Sequence, residues 1–184
     1  MKAMMFVDCQ QDFFGGGALE VPNADEIRPV LKKLMKLAKD EKVPVLKTMD
    51  SHVENDPEFK VFPPHCIKET DGQASIVECS CKKAVIFEKA TFDIFDKKLG
   101  SPQIEEWLKN NNITEVWIAG VVGNICVEAA VTGLRKLGIT TYVFENAVTW
   151  MDMEAGVFCQ GADDKETSVK RLRALGAHLT QAKI

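Results

Sequence analysis

The chain alternates short, uninterrupted apolar runs with longer amphipathic segments. Apolar runs of this length without polar interruption are typical of strands that are buried on both faces of a sheet. They cover residues 3–8, 43–49, 84–88, 116–120, 140–145 and 177–181. The pattern therefore predicts six strands.

The segments between these runs have the spacing of helices. Residues 24–41 repeat apolar side chains on one face, and Ser101-Pro102 is typical of the first turn of a second helix. We expect a third helix after Cys126 and a basic amphipathic one over residues 163–175. Strands that alternate with helices indicate the α/β class. We predict a three-layer α/β/α sandwich with a six-stranded, mostly parallel sheet, formed by one domain over residues 1–184.

Composition and charge narrow the classes of function. The 184 residues are 46% hydrophobic and 27% charged, and the net charge of −4 gives no reason to expect a nucleic acid or an anionic membrane as partner. No apolar run reaches membrane-spanning length, and MKAMMFVDCQQDF lacks the apolar core of a signal peptide. We interpret the six cysteines as reduced thiols of a cytoplasmic protein. The sequence leaves both a monomer and a homo-oligomer open.

Reactive side chains follow four of the predicted strands. Asp8 ends the first strand, Asp50 and His52 follow the second, Lys89 ends the third, and Cys126 follows the fourth. Ligands of parallel α/β sheets bind outside the carboxyl ends of the strands. Each residue alone has an ordinary structural explanation, but their convergence at one sheet edge favours an enzyme site.

Cys126 stands where the fourth strand has ended and a helix is expected to start, in AGVVGNICVEAAVTG. Free backbone N–H groups at a helix start favour the thiolate over the thiol. The position therefore suits a nucleophile, although a small buried residue would also fit there.

The segment from Asp50 to about Gly72 is long for a loop in a compact domain, which favours a functional role. It contains Asp50-Ser-His52, Glu58 and His65. Carboxylate and imidazole ligands suit Zn²⁺, Mn²⁺ or Fe²⁺, so we expect a divalent metal, with a solvated polar loop as the alternative. Cys79-Ser-Cys81 has poor zinc spacing without a second pair, and we expect it on an exposed edge strand.

Several stretches together resemble the nicotinamidase branch of the isochorismatase-like cysteine hydrolases. MFVDCQQDFFGGGALEVPNADEI is similar to the opening strand and loop of the family, and MDSHVENDPEFKVFPPHC is similar to its metal loop. FEKA resembles the stretch with the catalytic lysine, and AGVVGNICVEAAVTGLRKLG resembles the cysteine elbow. The resemblance runs over nearly the whole chain.

The resemblance implies a role for each matching position. It implies a catalytic triad, the metal ligands of one divalent ion with zinc as the first choice, backbone donors for an oxyanion, residues around the substrate, and a cis peptide bond between Val121 and Val122. The triad positions are Asp8, Lys89 and Cys126, and the metal ligands are Asp50, His52, Glu58 and His65. The backbone donors for the oxyanion are Val122 and Cys126, and the residues around the substrate are Phe13, Phe62 and Val121.

The resemblance also implies hydrolysis of a small amide, nicotinamide or pyrazinamide. Gly123 stands where the family usually has threonine, and ATFDIF stands where Ser-Ala-Phe is usual, so the substrate pocket departs from the family pattern. Another amide or ureide hydrolase, such as an N-carbamoyl-amine amidase, is the nearest alternative. An isochorismatase, a metal-dependent hydrolase with an incidental cysteine, and a non-catalytic metal- or metabolite-binding protein are the others.

Overall fold

The computed structural model describes residues 1–78, 84–152 and 164–184. The strands are β1 Lys2–Val7, β2 Val45–Asp50, β3 Ala84–Lys89, β4 Glu115–Gly120, β5 Thr140–Val148 and β6 His178–Thr180, and the α-helices are α1 Ala24–Asp40, α2 Gln103–Asn110, α3 Glu128–Lys136 and α4 Lys165–Ala174. All six predicted strands are present, within three residues of the expected bounds.

The six strands form one sheet in the order β3-β2-β1-β4-β5-β6, and every neighbouring pair is parallel. The predicted α/β class and sheet are confirmed. The order reverses direction at β1, because β2 and β4 flank it on its two sides. All six strands point the same way, so their carboxyl ends share one edge of the sheet.

Two apolar cores cover the two faces of the sheet. On one face α1 packs through Ile27, Leu31 and Leu34 against strand residues such as Phe6. On the other face α2, α3 and α4 contribute buried side chains to a second core, among them Ile104, Leu134 and Leu172. This arrangement is the three-layer sandwich that the sequence predicted.

The helix expected directly after Cys126 starts slightly later. A π-helical turn, Gly123–Val127, contains Cys126, and α3 begins only at Glu128. The predicted helix over 163–175 is present as α4, but residue 163 lies outside the described residues, as do Cys79, Cys81 and Cys159. Within the described ranges, no helix combines the length and the apolar character needed to cross a membrane.

Candidate active site

The carboxyl edge of the sheet brings the four predicted strand-end residues together in the interior. Asp50 and Lys89 are register partners on β2 and β3, while Asp8 follows β1 and Cys126 follows β4. All four are buried, with 0% exposure for Asp8 and 9% for Cys126. Ionisable groups this deeply buried require partners, and here they partner one another.

Lys89 is the hub of this cluster. Its Nζ lies 2.9 Å from Asp8 Oδ2 and 3.7 Å from Cys126 Sγ, and it donates a short hydrogen bond to Asp50 Oδ1. Burial opposes the charged amine, but the carboxylates of Asp50 and Asp8 outweigh burial and hold the pKa of Lys89 well above its usual range. Lys89 is therefore a fixed cation between a thiol and two carboxylates.

The structure differs from the expectation that the helix start would make Cys126 a thiolate. Burial raises the pKa of the Cys126 thiol well above its usual value, Lys89 lowers it, and Asp8 and Asp50 raise it further. A hydrogen bond between the thiol and Asp8 also favours the neutral form. The resting group is thus a thiol paired with an acceptor carboxylate, because burial and two nearby acids outweigh one lysine.

Backbone hydrogen bonds hold the turn that carries Cys126. The peptide bond between Val121 and Val122 is cis, as the resemblance implied. The Val122 carbonyl accepts hydrogen bonds from the N–H groups of Ile125 and Val127, at 3.1 and 3.0 Å. The backbone between Val122 and Cys126 is therefore closed into one compact loop beside the thiol.

Three of the predicted metal ligands form a buried group beside Lys89. One ligand atom from each of Asp50, His52 and His65 lies within 4.8 Å of the others. Their exposures are 3%, 0% and 2%. One carboxylate and two imidazoles suit a divalent transition metal.

The hydrogen bonds of the two histidines fit a metal site. His65 Nδ1 lies 2.9 Å from the Pro63 carbonyl oxygen, so this nitrogen donates a proton and leaves Nε2 as the lone-pair atom, 3.9 Å from Asp50 Oδ2. Burial lowers the pKa of His65, which favours the neutral, ligating form. Both ring nitrogens of His52 are buried without a hydrogen-bond partner in the described part of the chain, and Nδ1 lies 3.1 Å from Asp56 Oδ2. A buried imidazole without hydrogen bonds is what a metal ligand requires before the ion binds.

Glu58 lies apart from this three-residue group. Glu58 lies on a 3₁₀ turn, Pro57–Lys60. The Asp56 side chain caps this turn by accepting a hydrogen bond from the Glu58 N–H. Burial raises the pKa of Glu58, His52 and Lys89 lower it, and Asp56 and Asp8 raise it, so Glu58 lies within electrostatic reach of the buried cluster. Its role as a fourth ligand stays a prediction.

Aromatic rings cover the histidines. The ring centroids of Phe13 and Phe62 lie 5.5 and 6.1 Å from that of His65. The sequence analysis missed Phe59, whose ring lies 5.4 Å from His52 and 5.7 Å from His65. Its position in PEFKVFPPHC, between Glu58 and Phe62, is the signal that could have found it.

Two polar residues that the sequence analysis also missed hold the acids in place. Gln10 is fully buried: its Oε1 accepts from the Asp50 N–H at 2.7 Å, and its Nε2 donates to the Asp50 carbonyl at 2.8 Å. Thr48 donates from Oγ1 to Asp8 Oδ1 at 2.6 Å. Each lies two residues from a strand-end acid, but only the fold reveals the pairing.

Comparisons with known proteins show the family of the chain and agree with its fold. The model of the isochorismatase domain family matches residues 2–184. The nicotinamidase/pyrazinamidase of Mycobacterium tuberculosis is 26% identical, over 97% of this chain and 98% of that protein. The zinc complex of a pyrazinamidase from Pyrococcus horikoshii superposes with a TM-score of 0.85 at 27% identity, covering 98% of each chain. An N-carbamoylsarcosine amidase from Thermoplasma acidophilum shares the fold, with a TM-score of 0.79 at 22% identity over 100% and 97% of the two chains.

The chain belongs to the isochorismatase family, and it is a hydrolase. Within that family it falls in the nicotinamidase branch, which confirms the resemblance inferred from the sequence.

Proposed function

We propose that this hydrolase converts nicotinamide to nicotinate and ammonia in the cytoplasm, and that it also accepts pyrazinamide. The observation that carries the proposal is the position of Lys89, within 3.7 Å of Cys126 Sγ and in contact with both Asp8 and the ligand Asp50. The Lys89 amine thus contacts the proposed nucleophile, the proposed proton acceptor and one residue of the metal-ligand group. The nicotinamidase and pyrazinamidase relatives support the choice of substrate.

The proposed reaction uses the chain's own residues for each proton transfer. Asp8 accepts the Cys126 proton as the sulfur attacks the amide carbonyl carbon, and the backbone N–H groups of Val122 and Cys126 bind the resulting oxyanion. Asp8 then protonates the leaving nitrogen, which departs as ammonia and leaves a thioester on Cys126. A water molecule that Asp8 deprotonates hydrolyses the thioester and releases the acid.

The ligand group and the rings would select the substrate. Asp50, His52 and His65 would hold one divalent ion, and that ion would supply a Lewis acid for the pyridine nitrogen and so help to orient the ring. Phe13 and Phe62 would enclose the aromatic ring, with Val121 beside it. The zinc complex of the Pyrococcus pyrazinamidase supports zinc as the first choice of ion. Glu58 is the proposed further ligand.

The test is ammonia release from nicotinamide, pyrazinamide, benzamide, N-carbamoylsarcosine, ureidoacrylate and biuret. We expect turnover of the first two and little of the others. An N-carbamoyl-amine amidase is the second candidate, because Gly123 and ATFDIF depart from the family pattern in the stretches expected to line the substrate pocket. Preference for N-carbamoylsarcosine would establish it instead, and no release from any amide would favour a non-catalytic binding protein.

A further inference from the structure

Gly123, the departure from the family pattern in the cysteine elbow, lies directly against Trp150. A Cβ built on Gly123 would lie 2.6 Å from Trp150 Cε2 and 2.7 Å from Cδ1, and closer still to Nε1. Carbon atoms pack at about 3.5–4.0 Å, so no side chain fits at position 123 while the indole stays in place. The indole therefore fills the space that a side chain at position 123 would occupy.

The segment that carries Trp150 is bound to the elbow on both sides of the ring. The Gly123 N–H donates to the Thr149 carbonyl at 2.7 Å. The Asn124 side chain donates to the Met151 carbonyl at 2.7 Å and accepts from the Met151 N–H at 3.2 Å. Residues 149–151 and 123–124 thus form one hydrogen-bonded unit, and the half-buried indole packs against Gly123 within it.

The ring is also fixed from the side of α4. Lys165 Nζ lies 4.6 Å from the centre of the Trp150 ring, which is the geometry of a cation–π contact. Movement of the indole would also move the turn Gly123–Val127, because Gly123 follows Val122 and lies in the same π-helical turn as Cys126.

We propose that Trp150 is a positioning residue for the cysteine elbow and that Gly123 and Trp150 form an interdependent pair. The indole packs against the turn at Gly123 and so holds it in place, and the absence of a side chain at position 123 allows this contact. The inference rests on Cys126 being the nucleophile of the proposed function.

The test measures the rate at which iodoacetamide alkylates Cys126, detected on its own peptide, together with kcat and KM. In Gly123→Ala the added methyl group displaces the indole and the turn, so we expect alkylation to slow about tenfold, with kcat falling more than KM changes. The double variant Gly123→Ala/Trp150→Ala, which makes room for the methyl group, should be alkylated no more slowly than Trp150→Ala alone, so the two losses should not add. Trp150→Phe, which keeps a ring, should stay nearer to wild type than Trp150→Ala.

Gly133→Ala is the matched control. A Cβ at Gly133 in α3 would lie 2.5 Å from Phe95 Cε2 and 2.6 Å from Phe95 Cγ, so it crowds an aromatic ring in the same way but outside the turn Gly123–Val127 that contains Cys126. We expect it to lower thermal stability and leave Cys126 alkylation unchanged. An unchanged rate in Gly123→Ala, or losses that simply add in the double variant, would overturn the proposal. Alkylation needs no substrate, so failure to hydrolyse nicotinamide would leave this result standing.

Discussion

Lys89 Nζ and Asp8 Oδ2 lie 2.9 Å apart in the interior, at the ends of two strands that are not neighbours in the sheet. Strand β2 stands between them, and its last residue, Asp50, contacts the same amine. One buried cation therefore links the acid beside Cys126 to the ligand group. A change at Lys89 should affect both halves of the site.

The first prediction concerns the nucleophile. Cys126→Ala should abolish amide hydrolysis, and Cys126→Ser should be nearly inactive, because a hydroxyl is a much weaker nucleophile than a thiol. Metal content and circular dichroism should remain as in the wild type. Cys9→Ala, at another buried cysteine, is the matched control and should keep most of the activity. A tenth of the activity remaining in Cys126→Ala, about 1.4 kcal/mol in barrier, would rule out the covalent mechanism.

A second prediction separates Asp8 from Lys89. Asp8→Asn removes the proton acceptor and should lower kcat by about 10²–10⁴-fold. It should not slow alkylation of Cys126, because the Asp8 charge raises the pKa of that thiol. Lys89→Met should slow alkylation as well as turnover, since Lys89 lowers the pKa of the thiol.

The control for Lys89→Met is Lys47→Met. Lys47 is also buried, at 6% exposure, but its Nζ binds Ser75 Oγ at 2.6 Å away from the thiol. It should cost stability without changing Cys126 alkylation. Lys89→Met should destabilise more, by about 3–5 kcal/mol in denaturant unfolding, because it leaves two buried carboxylates without their cation. Equal effects of the two variants on alkylation would contradict the role assigned to Lys89.

The third prediction concerns the metal. Purified protein should hold about one equivalent of a divalent ion by elemental analysis, and His52→Ala or His65→Ala should remove it. Loss of the ion should impair turnover of nicotinamide and pyrazinamide, while benzamide, which has no ring nitrogen, should be poor throughout. His178→Ala is the control, since this third histidine lies on β6 and is exposed. Metal-free wild-type protein that hydrolyses nicotinamide at full rate would remove the ion from the mechanism.

The fourth prediction gives the pH dependence of Cys126 in metal-free protein. Because the pKa of this thiol is raised, the reactive thiolate is scarce at neutral pH and increases as pH rises. The alkylation rate should therefore still be increasing above pH ~8.5, where a free cysteine model thiol measured in parallel has passed its midpoint. A rate that levels off below pH 8 would show that the resting group is a thiolate.

The fifth prediction concerns Gln10. Gln10→Leu keeps the approximate size of the side chain but removes both hydrogen bonds to the Asp50 backbone. Supporting residues of this kind typically alter metal affinity by about 10–100-fold, so we expect weaker binding in a competitive chelator titration. Gln11→Leu, at the half-buried neighbour, should leave affinity unchanged. Wild-type affinity in Gln10→Leu would show that Asp50 needs no such support.

The sequence by itself determined the architecture and the edge of the sheet at which to look. In an α/β chain, short uninterrupted apolar runs form strands that are covered on both faces of the sheet. The pattern therefore predicts the parallel sheet. Parallel strands end at one edge, so the pattern alone predicts that Asp8, Asp50, Lys89 and Cys126 lie together. Fold and family are confirmed, whereas the roles of the site residues remain predictions.

Only the tertiary structure decided how these groups act on one another. Whether Cys126 rests as a thiol depends on burial and on three charges from three other strand ends, and no local pattern records those distances. The support of Asp50 by Gln10 and the fit of Trp150 against Gly123 join residues that are distant in sequence. Such contacts are set by how the layers pack, since packing in three dimensions, and not spacing along the chain, fixes which side chains share a volume.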